Sequence, residues 1–378
     1  MTIKDLAYSA QQRLQASTGC SIKRAHIYEL LAASFGFNSF AALGADTVFT
    51  EQSLSSRRAS SYGLLIRNRC IEIGYQPDVA NAVSIALPVL LSEHQIGVIR
   101  IADLVAHLRF EAGHQDDYSD DDDEPDDGDN ALDDRWVDSV ALVSPILRDG
   151  LEAAASKGNA LAHYALALIY GPGEEDEEQQ GVGSDYWHSQ AQKGRLLTGV
   201  EKEWADGYAA HLARSEKHAH HLREAARLGQ QDALLDLADR FDDPAFFEQA
   251  APHSNADPTV VAEIAQRLGR HGDAKKWLTV AAEAGDTEAM RQLIEEYDQR
   301  DLLRCWTWVY LAKLMDVDLT MAEHYAINED GSPYDDDIGG AAYVGGRDGV
   351  VIDPISAEQD AAARDAAKKI LGRIRLAG

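Results

Sequence analysis

The stretch WLTVAAEAGDTEAM, residues 277–290, decides the fold of this chain although it holds no obvious nucleophile and no cluster of metal ligands. On a helix its tryptophan lies on the same face as Ala281 and Ala282, whose small side chains let a neighbouring backbone come close. Gly285 can end that helix in the left-handed conformation that other residues avoid, and Asp286 can cap the next helix. The stretch therefore predicts a tight joint between two packed helices.

The same joint recurs along the chain, each time ending in a glycine. The four copies read AASKG, QAQKG, AARLG and AAEAG and end at Gly158, Gly194, Gly229 and Gly285. Successive glycines are 36, 35 and 56 residues apart, and the longest interval leaves room for one divergent copy. A period in this range is typical of arrays of helical repeats.

The residues that follow three of these glycines also agree in type. At offsets of 4, 8, 9 and 12 come an alanine, a leucine, a second apolar residue and an aromatic residue. Offsets 4, 8 and 12 form one stripe on a helix, and offset 9 lies beside it. The residues concerned are Ala162, Leu166, Ala167, Tyr170, Ala233, Leu237, Ala238, Phe241, Ala289, Leu293, Ile294 and Tyr297. We therefore predict that each unit is a helix, a turn and a second helix.

This pattern resembles the Sel1-like repeat, a relative of the tetratricopeptide repeat, over residues 138–315. Further matching residues in the loop of the first unit are Gly171, Pro172, Gly173, Gly181, Val182 and Asp185. The second unit departs from the pattern, because Thr198 and Lys202 stand where the repeat has alanine and leucine. The resemblance implies an α/α solenoid whose concave face binds other proteins.

The remaining segments complete a predicted all-α architecture, in which a helical N-terminal region precedes the solenoid and a β-hairpin and helix cap follow it. Residues 1–50 resemble a small three-helix module found at the front of assorted bacterial proteins. The predicted segments are the module at 1–50, a helical region at 51–113, an acidic disordered linker at 114–134, the repeats at 135–318 and the C-terminal cap at 319–378. A second interpretation of the linker is an electrostatic decoy for a basic protein.

The C-terminal cap is predicted from two short apolar runs. AAYV at 341–344 and VVID at 350–353, joined by GGRDG, are typical of a β-hairpin. Beside them Asp335–Asp337 could hold a divalent cation, although adjacent acids in a loop are more often solvated. A closing helix from about Ser356 is predicted to bury Ala362, Ala366, Ile370 and Ile374.

Two groups of side chains are candidates for chemistry. His211, His218 and His221 lie broadly on one helix face and could bind zinc or nickel, with His220 beside them. His221 also occupies a repeat position that is filled by tryptophan near Gly285, which favours packing. Core packing is the interpretation for five of the six tryptophans (Trp187, Trp204, Trp277, Trp306 and Trp308), with Trp204 the best candidate for a partner contact. We thus predict no catalytic, cofactor or metal residue, and partner-binding residues stay unassigned.

Composition narrows the possible functions. A net charge of −29 disfavours nucleic acid and favours a basic protein partner. Residues 39–49, which would form the reading helix of a helix-turn-helix, contain no Lys or Arg. Three dispersed cysteines and the lack of a signal peptide or apolar span predict a cytoplasmic protein.

The favoured function is a non-enzymatic adaptor or scaffold that binds proteins through the repeat surface. One alternative is a regulatory or defence protein whose N-terminal module is linked to nucleic acid. Another is a metal-dependent enzyme that uses the histidines or the Asp335–Asp337 loop.

Overall fold

Helices dominate both compact units of the chain. The computed structural model describes residues 1–54, 62–114, 144–172, 183–249, 256–328, 332, 334 and 342–377. These residues form sixteen α-helices and two pairs of antiparallel strands, which agrees with the predicted all-α class. The two units are Met1–Leu234 and Leu235–Gly378.

The first unit opens with six helices and two short strands. Their bounds are α1 Ile3–Thr18, α2 Arg24–Ala33, α3 Phe40–Asp46, β1 Thr47–Glu51, α4 Gly63–Glu72, α5 Pro77–Glu93, β2 Ile96–Arg100 and α6 Ile101–His114. Thr2 and Asp5 form a capping box at the start of α1, and Gly19 ends that helix in the left-handed conformation. One hydrophobic core contains residues from α1–α5 and from both strands, so the predicted segments 1–50 and 51–113 are packed together.

The antiparallel pair β1–β2 was not expected in a region predicted to be helical. Val48 lies opposite Ile99, and Phe49 lies opposite Val98. The first four residues of each strand are buried, so neither strand shows the alternation of apolar and polar residues that marks a half-exposed strand. Strands of five residues that are buried on both faces resemble short apolar helix segments in sequence, which explains the wrong prediction.

Four more helices complete the first unit, followed by the start of a fifth. Their bounds are α7 Pro145–Ala155, α8 Ala160–Ile169, α9 Ser184–Gln192, α10 Val200–Arg227 and, across the division between the units, α11 Gln231–Phe241. Gly158 has a φ of +85° between α7 and α8, and the Asn159 side chain accepts a hydrogen bond from the Ala162 N–H at the start of α8. The predicted joint at this glycine is therefore confirmed. Gly150 of α7 lies against Val48, where an added Cβ would come within 3.1 Å.

The interval between Gly194 and Gly229 differs from the predicted helix, turn and helix. A single helix of 28 residues, α10, fills most of it. The helix α10 contains no proline, and its one glycine, Gly207, does not have a positive φ. Because alanine, glutamate, lysine and arginine are abundant along it, helix propagation costs less than a turn would.

The second unit contains the rest of the helices. Their bounds are α12 Pro258–Arg267, α13 His271–Ala284, α14 Thr287–Gln292 (continued by a π-helical turn at Leu293–Tyr297), α15 Leu302–Leu314 and α16 Ala357–Ala377. At the joint in WLTVAAEAGDTEAM, Gly285 has a φ of +110° and the Asp286 carboxylate accepts from the Ala289 N–H. Ala281 and Ala282 are buried, as the pattern predicts.

Burial along the three repeated stripes is uniform at some offsets and variable at another. The residues at offsets 4, 8 and 9 are all buried in the three copies. At offset 12, Tyr170 is buried, Tyr297 is half-buried and Phe241 is exposed. The small and aliphatic positions thus contribute to the core in every copy, whereas the aromatic position is buried in the first copy alone.

The C-terminal strands pair differently from the predicted hairpin. β3 Glu323–Ile327 is antiparallel to β4 Tyr343–Arg347, so the predicted partner of AAYV, VVID at 350–353, is wrong. Gly345 and Gly346 lie inside β4, where an added Cβ would come within 2.8 Å of Ile327 and 1.8 Å of the Glu323 carbonyl. These glycines permit close approach of β3, and they do not form the predicted turn. Asp335–Asp337 lie outside the described residues.

The closing helix α16 agrees with the prediction in its bounds and in part in its buried face. The predicted Ile370 is buried and Ala366 and Ile374 are half-buried, whereas Ala362 is exposed and its neighbours Ala363 and Ala367 are buried. The alanines at 361–363 and at 366–367 leave the exact face undetermined in sequence.

Candidate functional site

His218 anchors the C-terminal half of α10 to α8. Its side chain is buried, and its Nδ1–H donates to the Ala167 carbonyl at 2.8 Å. Next to it, Arg214 donates to the Gly171 carbonyl at 2.7 Å. Both contacts fix backbone oxygens at the end of α8, so these side chains position one helix on the other.

His163 and His221 form a pair between the same two helices. Their Nδ1 atoms are 3.0 Å apart, so one of these nitrogens carries a proton and donates to the other. The Tyr170 ring stacks on His221 at 5.9 Å between centroids. Burial lowers the pKa of His221 to about 4 and also lowers the pKa of His163. Both imidazoles are therefore neutral at pH 7 and pack as aromatic rings.

The structure does not bring the four predicted histidines to one point. His220 lies beside His221, with ring centroids 5.1 Å apart, but His211 instead contacts Tyr208 and Ser215. Within the described residues, no group of three or more His, Cys, Asp or Glu side chains is arranged to hold a metal ion.

The five tryptophans fall into buried and exposed classes. Trp277 and Trp308 are buried, which agrees with a core role. Trp187 and Trp306 are half-buried, with the Arg195 guanidinium 4.9 Å from the Trp187 ring centroid. Trp204 alone of the five is classed as exposed, so the tryptophan singled out from the sequence is the most available to a partner.

A buried carboxylate at Asp298 was missed by the sequence reasoning. Its Oδ1 lies 2.6 Å from Lys275 Nζ, and its Oδ2 lies 3.1 Å from Arg304 Nε and accepts from the Trp308 indole N–H at the same distance. The Cys305 thiol, whose pKa burial raises to about 11, donates to the Asp298 carbonyl. These partners come from α13 and α15, so the carboxylate ties two helices together and has no signature in the local sequence.

The helix α9 and the first half of α10 also expose apolar side chains. We call residues 184–216 the arm; all of them are described, and among them just Ser184 and Ala205 are buried. The two helices touch through rings, with Tyr208 5.3 Å from His188 between centroids. Few apolar side chains are thus shared between the helices of the arm.

The exposed apolar residues of the arm follow one line. Val200, Trp204, Tyr208 and Leu212 recur every fourth residue on α10, and we call them the arm stripe. Val200 is 55% exposed, Trp204 39% and Leu212 38%, while Tyr208 is half-buried. Leu196, just before the helix, is almost fully exposed. An apolar stripe of this length on a helix is typical of a surface that another molecule covers.

No helix within the described residues is both long enough and apolar enough to cross a membrane. Comparison of the chain with protein-family models, with curated protein sequences and with solved structures finds no match.

Proposed function

We propose that this protein is a non-enzymatic adaptor that binds a protein partner through the arm stripe. The observation that carries the proposal is the contrast inside the arm, where 33 residues bury two side chains yet expose a line of apolar ones. The Sel1-like pattern in the sequence favours the same class of function.

The energetics of the stripe favour a covered state. Complete burial of an exposed aliphatic or aromatic side chain is worth about 1.5–3 kcal/mol. Val200, Trp204 and Leu212 each retain a large exposed fraction, so a partner that covers them gains several kilocalories per mole before the cost of association. Tryptophan is also among the residues most often found at the energetic centre of interfaces.

Charge indicates what kind of protein fits. The arm holds five acidic and four basic residues, so it is close to neutral in a chain of net charge −29. A partner with an apolar helix face can pack on the neutral stripe, and basic residues at its edges are attracted by the field of the whole chain. The proposed partner is therefore a protein with an apolar contact face and a basic rim.

Photo-crosslinking in extracts of the native host tests this proposal. A photoreactive residue is placed at Leu196 or Trp204, and a matched control at Ile85, which is exposed on α5. We expect one common product at both arm positions and none at Ile85. The crosslinked protein is then purified and titrated directly, and Val200→Asp is expected to weaken binding by at least about tenfold because it places a charge in the contact.

Three outcomes would overturn the proposal. One is that the arm positions give no product beyond those at Ile85. A second is that the product contains two copies of this chain, which would make the stripe a self-association surface. A third is that the purified partner binds the Val200→Asp variant as tightly as the original protein.

A further inference from the structure

A cleft of about 140 Å³ lies between α15 and α16 in the second unit. Its lining residues are Tyr310, Lys313, Leu314, Arg364 and Lys368. Three of these five are cationic and none is acidic, although the chain holds 35 basic and 64 acidic residues. The lining of this cleft is therefore much more cationic than the chain as a whole.

Arg364 is held in one orientation. Its Nε donates to Asp360 Oδ2 at 2.9 Å, and its Nη2 donates to the Tyr310 hydroxyl at 3.0 Å. The guanidinium carbon also lies 4.1 Å from the Tyr310 ring centroid. The Tyr310 hydroxyl in turn donates to Asp360. These contacts engage Nε and Nη2, and no described residue accepts from the N–H groups on Nη1, which can therefore donate to an anion in the cleft.

The two lysines add charge that is only partly offset. Lys368 follows Arg364 by one helical turn, and among the described residues it has no acidic partner, since the adjacent Asp365 pairs with Lys369 at 2.8 Å. Like charges four residues apart destabilise a helix. Lys313, on α15, pairs with Asp318 at 3.1 Å but keeps most of its side chain exposed. Asp365 also lies within electrostatic reach of Lys368, but its carboxylate is paired with Lys369, so the lining of the cleft itself presents three cations and no carboxylate.

We propose that this cleft binds the phosphoryl group of a phosphate monoester. A phosphoryl group presents three acceptor oxygens, so it can accept separately from Arg364, Lys368 and Lys313, whereas a carboxylate has two coplanar oxygens. The Tyr310 ring and Leu314 supply an apolar wall for the organic part of the ligand.

The cleft opens to solvent, and its volume of about 140 Å³ is room for a phosphoryl group while the organic part of the ligand extends outside it. A small monoester and the phosphorylated side chain of a protein both present this chemistry.

Titration of the full-length protein with phenyl phosphate, followed by calorimetry and by NMR, tests the site. We expect saturable binding with a Kd on the order of 1 mM that weakens as the salt concentration rises. Lys368→Gln should weaken binding by about tenfold, because it removes one charge-assisted hydrogen bond. The matched control Lys369→Gln, on the same helix but paired with Asp365 outside the cleft, should change Kd by less than about twofold.

Two further probes are inorganic phosphate and a peptide that carries phosphotyrosine. Tighter binding of the peptide than of phenyl phosphate identifies a protein-borne ligand, and equal binding identifies a small one. The proposal is overturned if inorganic phosphate binds as tightly as both, if no probe saturates, or if the two lysine variants lose binding equally. Both lysines are exposed, and an unchanged circular dichroism spectrum confirms that the variants fold. Val200→Asp should leave phenyl phosphate binding unchanged. A negative result for the cleft therefore does not count against the proposed binding of a partner at the arm.

Discussion

The two halves of α10 belong to one continuous helix but differ in how many side chains they bury. From His218 to Ala225 the helix buries His218, Ala219, Leu222 and Ala225, against α8 among other neighbours. From Val200 to Glu216 it buries only Ala205, and its leucine, tryptophan and valine stay open to solvent. All of these residues are described. Helix formation is therefore uniform along α10, whereas the burial of side chains is concentrated at one end.

Helix propensity and packing act separately in α10. The first half of α10 is helical because its residues favour helix and because helix extends readily from an existing nucleus. The second half is additionally held by the contacts of His218 and His221 with α8. An exposed apolar stripe can thus be kept in helical form by a distant, packed segment of the same helix.

The largest expected effect comes from a matched pair of leucine substitutions in α10. Leu222→Ala removes a fully buried side chain and should lower the free energy of unfolding by about 2–5 kcal/mol. Leu212→Ala removes an exposed side chain and should cost less than about 1 kcal/mol. Urea denaturation followed by circular dichroism measures both. Equal losses would show that the first half is packed as tightly as the second.

The next effect is a loss of stability in mild acid. The pKa of His221 is about 4 in the folded protein, below its ordinary value of 6.5, so the unfolded state binds a proton first as pH falls. The stability that neutral His221 contributes to the folded protein is complete above pH 6.5 and is lost as the pH falls from 6.5 to about 4. The loss is at most about 3 kcal/mol, and His163 shifts stability in the same direction.

A substitution isolates this histidine from the other titrating groups. His220, Lys217 and Glu224 also face His221, the first two opposing its protonation and the third favouring it. His221→Phe keeps a ring against Tyr170 but cannot titrate, so the slope of stability between pH 6.5 and 4 should fall. The measured quantity is the slope of the unfolding free energy against pH, and not the stability of the variant at neutral pH. An unchanged slope would assign the acid sensitivity to other residues.

The smallest expected effect is a gain. Gly207 lies in the first half of α10 with a φ that alanine adopts, and an added Cβ would meet nothing within 4 Å. Gly207→Ala should therefore stabilise the helix by about 0.5–1 kcal/mol. Hydrogen exchange of the amides of residues 204–212 is the most direct measurement. Slower exchange is expected there, with no change at residues 222–225, and faster exchange would contradict the prediction.

Local features of the fold could be predicted from the sequence because their causes are local. Gly158 and Gly285 end helices in the left-handed conformation, and Asn159 and Asp286 cap the next ones, since each device acts within a few residues. The strand Thr47–Glu51 could not be predicted, because burial on both faces removes the alternation that identifies strands.

Features that join distant residues could not be predicted. Asp298 is surrounded by Lys275, Arg304 and Trp308, and neither its type nor its spacing indicates that it is buried. Gly346 was assigned to a turn because glycine is common there, but it is needed for the approach of β3. In the candidate site, Trp204, the predicted candidate for a partner contact, is exposed, while the rest of the arm stripe emerged only from the structure.

The continuity of α10 also has a mechanical consequence. A 28-residue α-helix is a rod roughly 42 Å long, and it bends little without a proline or a π-bulge. A load applied near Val200 therefore acts with leverage on the far end, where His218 and His221 rest on α8. Acid that protonates His221 therefore weakens the attachment of the whole rod at its packed end.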